Sequence, residues 1–228
     1  MSFARSILVG GVVVMAMTGC NKLPRPLAPV GMVPMSGDTA ALWVAELAPQ
    51  QMRRYALRWK FRNQVASVAG RGVVRLAPPD SLRFDYRAPF GRSGAAVVVD
   101  GEVVWREPED GVQLIPVVPL FWAALGIPRL PTADSKVMGL AEKDKRIWQY
   151  LVDEDTLTYV VTGQSLRLQA EVRQPGKLVG IVDVTFDPKT RLPTRATLTF
   201  PEAAATLQFS VEDVEDLESL APDIWKRP

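Results

Sequence analysis

The residues able to do chemistry are few. Glu107, Glu109 and Asp110 stand close together, and Asp153, Glu154 and Asp155 are consecutive. Two carboxylates held a few ångströms apart can act as general acid and base on a glycosidic bond. Both groups fall among turn residues at the ends of strand patterns, so the preferred reading is that of solvated turn charges. The chain has no histidine, which excludes Ser-His-Asp and Cys-His nucleophile arrangements and the commonest zinc ligand sets. Its single cysteine, Cys20, has no internal partner for a disulfide. Neither a GxGxxG fingerprint nor a phosphate-binding P-loop is present. Gly70-Arg71-Gly72 lies inside a strand pattern, where a bend or bulge is expected. The sequence therefore predicts no enzyme and no cofactor.

The lone cysteine takes its meaning from what precedes it. Arg5, an apolar run over residues 7–16 and small residues beyond it predict an export signal over residues 1–19. That run is too short to span a bilayer comfortably, and no second run of about 18 apolar residues follows. Met17-Thr18-Gly19-Cys20 resembles the bacterial lipobox. The resemblance implies cleavage before Cys20 and lipid modification of that residue, and Asn21 in place of Asp implies onward export to the outer membrane. An ordinary cleavage site leaving a spare thiol is the alternative. Residues 20–37 carry Pro24, Pro26, Pro29 and Pro34, a composition that favours extended polyproline geometry. At about 3.1 Å per residue, the segment 21–36 would be a tether reaching roughly 50 Å.

Residues 38–228 are of a length suited to one domain. With 27 Lys and Arg against 25 Asp and Glu, the formal net charge is +2. Near-neutrality without a long basic run gives no support for nucleic-acid binding, although a pair such as Arg53-Arg54 suits anionic lipid headgroups.

Asp38 is placed to cap a helix running to Leu47 or Ala48, with Leu42, Trp43 and residues 45–47 towards its apolar side, and Pro49 interrupts it. The period then becomes two. Tyr55, Leu57, Trp59 and Phe61 oppose Ala56, Arg58, Lys60 and Arg62, the pattern of a half-buried strand. Further strands are predicted over 65–76, 81–88, 94–100, 102–106, 147–152, 157–161, 166–172, 178–186, 196–200 and 207–211. Residues 134–145 read as a polar connection. About eleven short strands without long helices predict a mainly β fold, an antiparallel sheet curled into an incomplete barrel that limits its exposed edges. Pro119 at a first helical position and Gly126 as a stop predict one short helix over 120–125, apolar all round and so in need of cover. Phe90, between Pro89 and Gly91, is a bare aromatic at a hairpin tip, where polar residues are usual.

Ala88-Pro89-Phe90-Gly91 between two strands, followed by Ile115-Pro116-Val117-Val118-Pro119-Leu120-Phe121-Trp122-Ala123-Ala124-Leu125-Gly126-Ile127-Pro128, is similar to the LolB family of outer-membrane lipoprotein receptors. The likeness covers roughly Tyr55 to Pro131. It implies an incomplete eleven-stranded barrel, with helices over its opening, whose apolar interior accepts the acyl chains of lipoproteins. These would come from a periplasmic LolA-like carrier of the same fold and pass into the outer membrane. Leu57, Trp59, Phe61, Leu82, Phe84 and Tyr86 would line the cavity, and Leu120, Phe121, Trp122 and Leu125 would form the lid helix. Pro89, Phe90 and Gly91 would be the membrane-insertion loop, with Phe where the family has Leu. A plain packed core is the alternative for the cavity and lid residues. The expected protein is an outer-membrane, periplasm-facing monomer that binds lipid and no nucleic acid. The alternative role is an envelope-assembly lipoprotein that docks a protein partner, with Phe90 as the hot spot.

Overall fold

Alternation places one apolar row of each strand on a common face, and the period-two runs fold as strands of a single sheet. The computed structural model describes residues 25–107, 117–130, 135–163, 166–175 and 177–226. The leader, Cys20, residues 21–24, Glu109, Asp110, Ile115, Pro116 and Pro131 lie outside the described residues.

The elements are β1 (Val33–Pro34), α1 (Gly37–Ala45), β2 (Met52–Arg62), β3 (Ser67–Ala77), β4 (Ser81–Arg87), β5 (Ser93–Val99), β6 (Glu102–Glu107) and α2 (Val118–Ala124). They continue with β7 (Lys136–Ala141), β8 (Lys145–Val152), β9 (Asp155–Thr162), β10 (Arg167–Gln174), β11 (Lys177–Phe186), β12 (Pro193–Phe200) and β13 (Ala205–Leu217). The sheet runs β1-β7-β8-β9-β10-β11-β12-β13-β2-β3-β4-β5-β6. Neighbours are antiparallel throughout, and the long-range step is β13 against β2, with Phe209 opposite Trp59 and Leu207 opposite Phe61. The end strands β1 and β6 do not pair with each other. The fold is thus a curled, open antiparallel barrel. No described helix is long and apolar enough to cross a membrane.

Four local expectations are corrected. Residues 134–145 are not merely a connection, because β7 occupies Lys136–Ala141 and pairs with β8. Part of the expected tether belongs to the domain: Val33 and Pro34 pair with β7, and the Leu27 amide donates to Glu171 Oε1 at 2.8 Å. Glu171 is fully buried on β10, which makes that contact a fastening point for the incoming segment. Ser36, not Asp38, caps α1: its hydroxyl accepts from the Thr39 amide, and Asp38 sits in the first turn, where a negative charge suits the helix dipole. Gly70 and Gly72 introduce no bulge, since β2 and β3 pair without a register shift. They make room instead. A Cβ on Gly70 would lie 1.9 Å from the Arg87 carbonyl oxygen, and one on Gly72 would lie 2.5 Å from the Phe84 ring.

Helix α2 runs Val118–Ala124, so Pro119 falls at its second position, one residue later than its type predicts, and Gly126 (φ 82°) follows the C-cap Leu125 as the expected stop. Its cover is the concave face of the sheet: α2 packs on β10, β11 and β12, and Leu120, Phe121, Trp122, Ala123 and Ala124 are all buried. Gly180 on β11 permits the approach, because a Cβ there would stand 2.7 Å from Leu120 Cδ1. The remaining concave surface is aromatic. Phe84, Phe121 and Phe209 meet with centroids 5.4–6.2 Å apart, and Trp148 stacks on Tyr159 at 5.3 Å.

All four tyrosines prefer the neutral form in this interior. Burial pushes the Tyr150 phenol up to about 12 and raises Tyr55, Tyr86 and Tyr159 as well. The unfolded phenols ionise near 10, so the stability contributed by keeping them neutral is present below that pH and is lost as pH rises through 12. Tyrosinate absorbance should therefore appear together with loss of β-sheet circular dichroism between about pH 10 and 12. Ionisation at an ordinary pKa with the sheet intact would contradict this packing.

Candidate functional site

Each residue expected in the cavity wall or lid has a definite place. Leu57 and Trp59 on β2 and Leu82 and Phe84 on β4 are buried on the concave face, while Phe61 and Tyr86 are partly buried against the same cluster. Trp59 is fixed by its indole N–H, which donates to the Arg71 carbonyl at 3.1 Å, and by an edge contact with Tyr86. Leu120, Phe121, Trp122 and Leu125 are each at most 2% exposed. The helix is thus buried against the wall, and Phe121 touches the wall residue Phe84 directly.

Open space lies at the edge of this packing, where α1, the end of β3 and the segment after α2 converge. A cavity of about 390 Å³ is lined there by Ala41, Val44, Leu76, Pro79, Trp122 and Ile127, among other mainly apolar groups. That volume falls within the usual range of ligand sites. The polar exceptions are Gln50 and Arg129. Arg129 stacks its guanidinium 4.6 Å from the centroid of Trp122, donates to the Pro79 carbonyl, and receives its own fixing from Tyr159, whose hydroxyl accepts the Arg129 amide at 3.0 Å. Burial lowers the Arg129 pKa, opposed by Asp80 and Tyr159, yet a guanidinium stays charged. Asp80 is raised by burial and by the Asp100 carboxylate beside it, with Arg129 acting in the other direction. An apolar slot with one cation at its rim suits a ligand with a long apolar body and a polar or anionic end.

The aromatic wall on β8 and β9 was not singled out by sequence. Trp43 of α1 meets Trp148 edge-on at 5.7 Å, and Arg146 binds Glu46, the C-cap of α1, through two charge-assisted hydrogen bonds of 2.6–2.7 Å. Trp122 Nε1 is buried without a hydrogen-bond partner among the described residues, and the buried Tyr150 hydroxyl lies beside the Trp148 indole. Alternation in β8 and β9 carried the signal for the wall, but only the fold shows that α1 closes it.

The third feature is the tip between β4 and β5. Pro89–Gly91 forms a 3-10 turn closed by the Ala88 amide donating to the Arg92 carbonyl at 2.7 Å. Phe90 stands free with 102% exposure and in left-handed backbone geometry, φ 61° and ψ 31°. That conformation is unfavourable for a bulky L-residue, so neither packing nor backbone preference explains a phenylalanine there. The remaining carboxylates do not form a site among the described residues: Glu107 ends β6, and Asp153, Glu154 and Asp155 surround the exposed β8–β9 turn.

No protein-family model matches the sequence, and no curated protein matches it either. Solved structures do. A LolA superfamily protein from Nitrosomonas europaea superposes with a TM-score of 0.60 at 13% identity, covering 85% of this chain and 98% of that one. The chain has a LolA-like fold. A DUF1329 family protein from Desulfovibrio piger gives a TM-score of 0.55 at 8% identity, over 82% of this chain and 95% of that one. A domain described as an outer membrane lipoprotein-sorting protein, from Vibrio parahaemolyticus, gives 0.51 at 8% identity, over 83% and 95%. The LolA-like fold accounts for the open barrel and the buried α2.

Proposed function

We propose that the protein is a non-enzymatic carrier or receptor of acyl chains, held at the outer membrane by a lipidated Cys20 with its domain facing the periplasm. The observation that carries this reading is the apolar slot at the barrel mouth, floored by Trp122 and rimmed by Arg129. An acyl chain fills the slot, and Arg129 meets its polar or anionic end. The cargo is a lipoprotein or another acylated lipid, delivered by a periplasmic carrier of the same fold. The LolA superfamily and lipoprotein-sorting structures support this reading by their architecture. The test is uptake of a fluorescent fatty acid by the purified full chain. Saturable uptake that unlabelled palmitate displaces is expected, and absence of uptake with the fold intact contradicts the reading.

In this account the Phe90 tip is the part that enters the receiving membrane. Phe90→Glu should leave the melting temperature and fatty-acid uptake unchanged, because the side chain touches nothing in the fold. Transfer of cargo into vesicles should fall at least ten-fold, since the apolar contact is lost and a carboxylate must be desolvated in its place. Phe90→Asn, a residue that tolerates left-handed geometry, should fold at least as stably and transfer as poorly. Undiminished transfer by either variant would remove the tip from the mechanism.

A further inference from the structure

We infer that the turn ends of the β2–β3 and β4–β5 hairpins form one docking edge for anionic phospholipid headgroups, with Val65 as a second apolar prong beside Phe90. The inference rests on the reading that Phe90 meets a bilayer and names the lipid charge class that the same surface selects.

Antiparallel connection puts both turns at the same end of the sheet, because β3 runs away from the first and β4 runs towards the second. Val65 is 90% exposed at the β2–β3 turn. It is held there by Asn63, whose Oδ1 accepts from the Val65 and Ala66 amides at 3.0 and 2.7 Å. Each turn thus presents a large apolar side chain, Val65 or Phe90, to solvent at its tip.

Around these prongs the charge is one-sided. Lys60, Arg62, Arg71, Arg87 and Arg92 are all exposed, and none forms an ion pair among the described residues. Glu107, at the end of β6, lies at this end too, and Glu202 is engaged by Lys177. Register sharpens the imbalance. Arg58, Arg71 and Arg87 face one another across three strands, and only Arg58 is matched, by Glu212. Like charges directly opposite are destabilising. The fold contains its own comparison: Arg54, Arg75 and Arg83 form a second such row, and there Asp213, Glu215 and Asp85 supply the counter-charges. The row beside the Phe90 tip lacks that compensation, and Gly70 lets the Arg87 carbonyl close down on β3 and fix the spacing. Two unmatched guanidiniums a strand apart, next to an apolar prong, suit phosphate groups at the depth where acyl chains begin.

The test uses the mature chain from residue 20 carrying Cys20→Ser, which has neither the leader nor an acyl anchor, sedimented with vesicles of phosphatidylcholine alone or mixed with phosphatidylglycerol. Binding should be markedly stronger to the anionic vesicles and should weaken as salt is raised. Arg71→Gln and Arg87→Gln should each weaken it roughly five-fold, with melting temperatures unchanged or higher because a like-charge contact is relieved. Val65→Ser should weaken binding to both vesicle types. Arginine variants that bind anionic vesicles like their parent, or an inert Val65→Ser, would overturn the inference. If the arginine changes are silent but Phe90→Ser abolishes binding, the docking edge fails and the tip reading survives. If Phe90→Ser is silent while the arginines matter, the tip reading fails and anionic recognition stands. Retention on immobilised polyglutamate without retention by vesicles would overturn the inference in favour of an acidic protein partner.

Discussion

Replacing Phe121 by alanine is expected to destabilise the fold by about 3–5 kcal/mol, a large share of the roughly 5–15 kcal/mol that holds a domain together. The side chain is 1% exposed and meets both Phe84 and Phe209. Its loss removes apolar burial and leaves a void between the helix and the wall, which neighbours held by β4 and β13 cannot fully close. Urea unfolding measures it, as a lowered midpoint with an unchanged slope. The result also decides what α2 is. A lid that swings away from a preformed cavity would tolerate the change at a cost below about 1.5 kcal/mol, near that of a volume-conserving swap. The full cost is that of a helix built into the core.

The second large effect is functional. Ala41 faces the mouth slot from α1 and is half-buried, with open space before it. Ala41→Trp fills that space with an aromatic ring while keeping a residue of tolerable helix propensity, at a propensity cost of about 0.5 kcal/mol. Fatty-acid uptake should fall by more than ten-fold with a melting temperature close to the parent's. The paired change Leu42→Trp, one position along, should leave uptake intact, because Leu42 points to solvent and not, as the helix pattern suggested, to the apolar side, which Ala40 and Val44 form instead. If both or neither abolish uptake, the slot is not the binding place.

Much of the fold was legible because alternation is a local signal. In β2 the apolar set Leu57, Trp59 and Phe61 is interleaved with Arg58, Lys60 and Arg62, and β10 alternates in the same way. The ends of α2 were equally plain, since Pro119 and Gly126 act through their own backbone. What could not be read depends on partners distant in sequence. Lys136–Ala141 becomes a strand because β8 and β1 flank it, although Gly139 and the short KVMGLA run carry little strand preference. Pro34 joins the sheet at an edge, where a missing amide is tolerated. The glycines of β3 looked like a bulge, yet their meaning lies in β4, which presses a carbonyl and a ring against them. The site shows the same division. Phe90 stood out as an apolar residue in a turn, and its left-handed backbone adds a second anomaly. The slot was invisible, because Ala41, the Leu76–Pro79 stretch and Arg129 come from three separate segments, and Arg129 gains its role only by stacking on Trp122.

Native mass spectrometry of the purified full chain incubated with palmitate tests the central claim most directly. The account predicts one saturable acyl adduct on the parent chain and on Phe90→Glu, absent from Ala41→Trp. A parent chain that remains free of adduct while folded would contradict it.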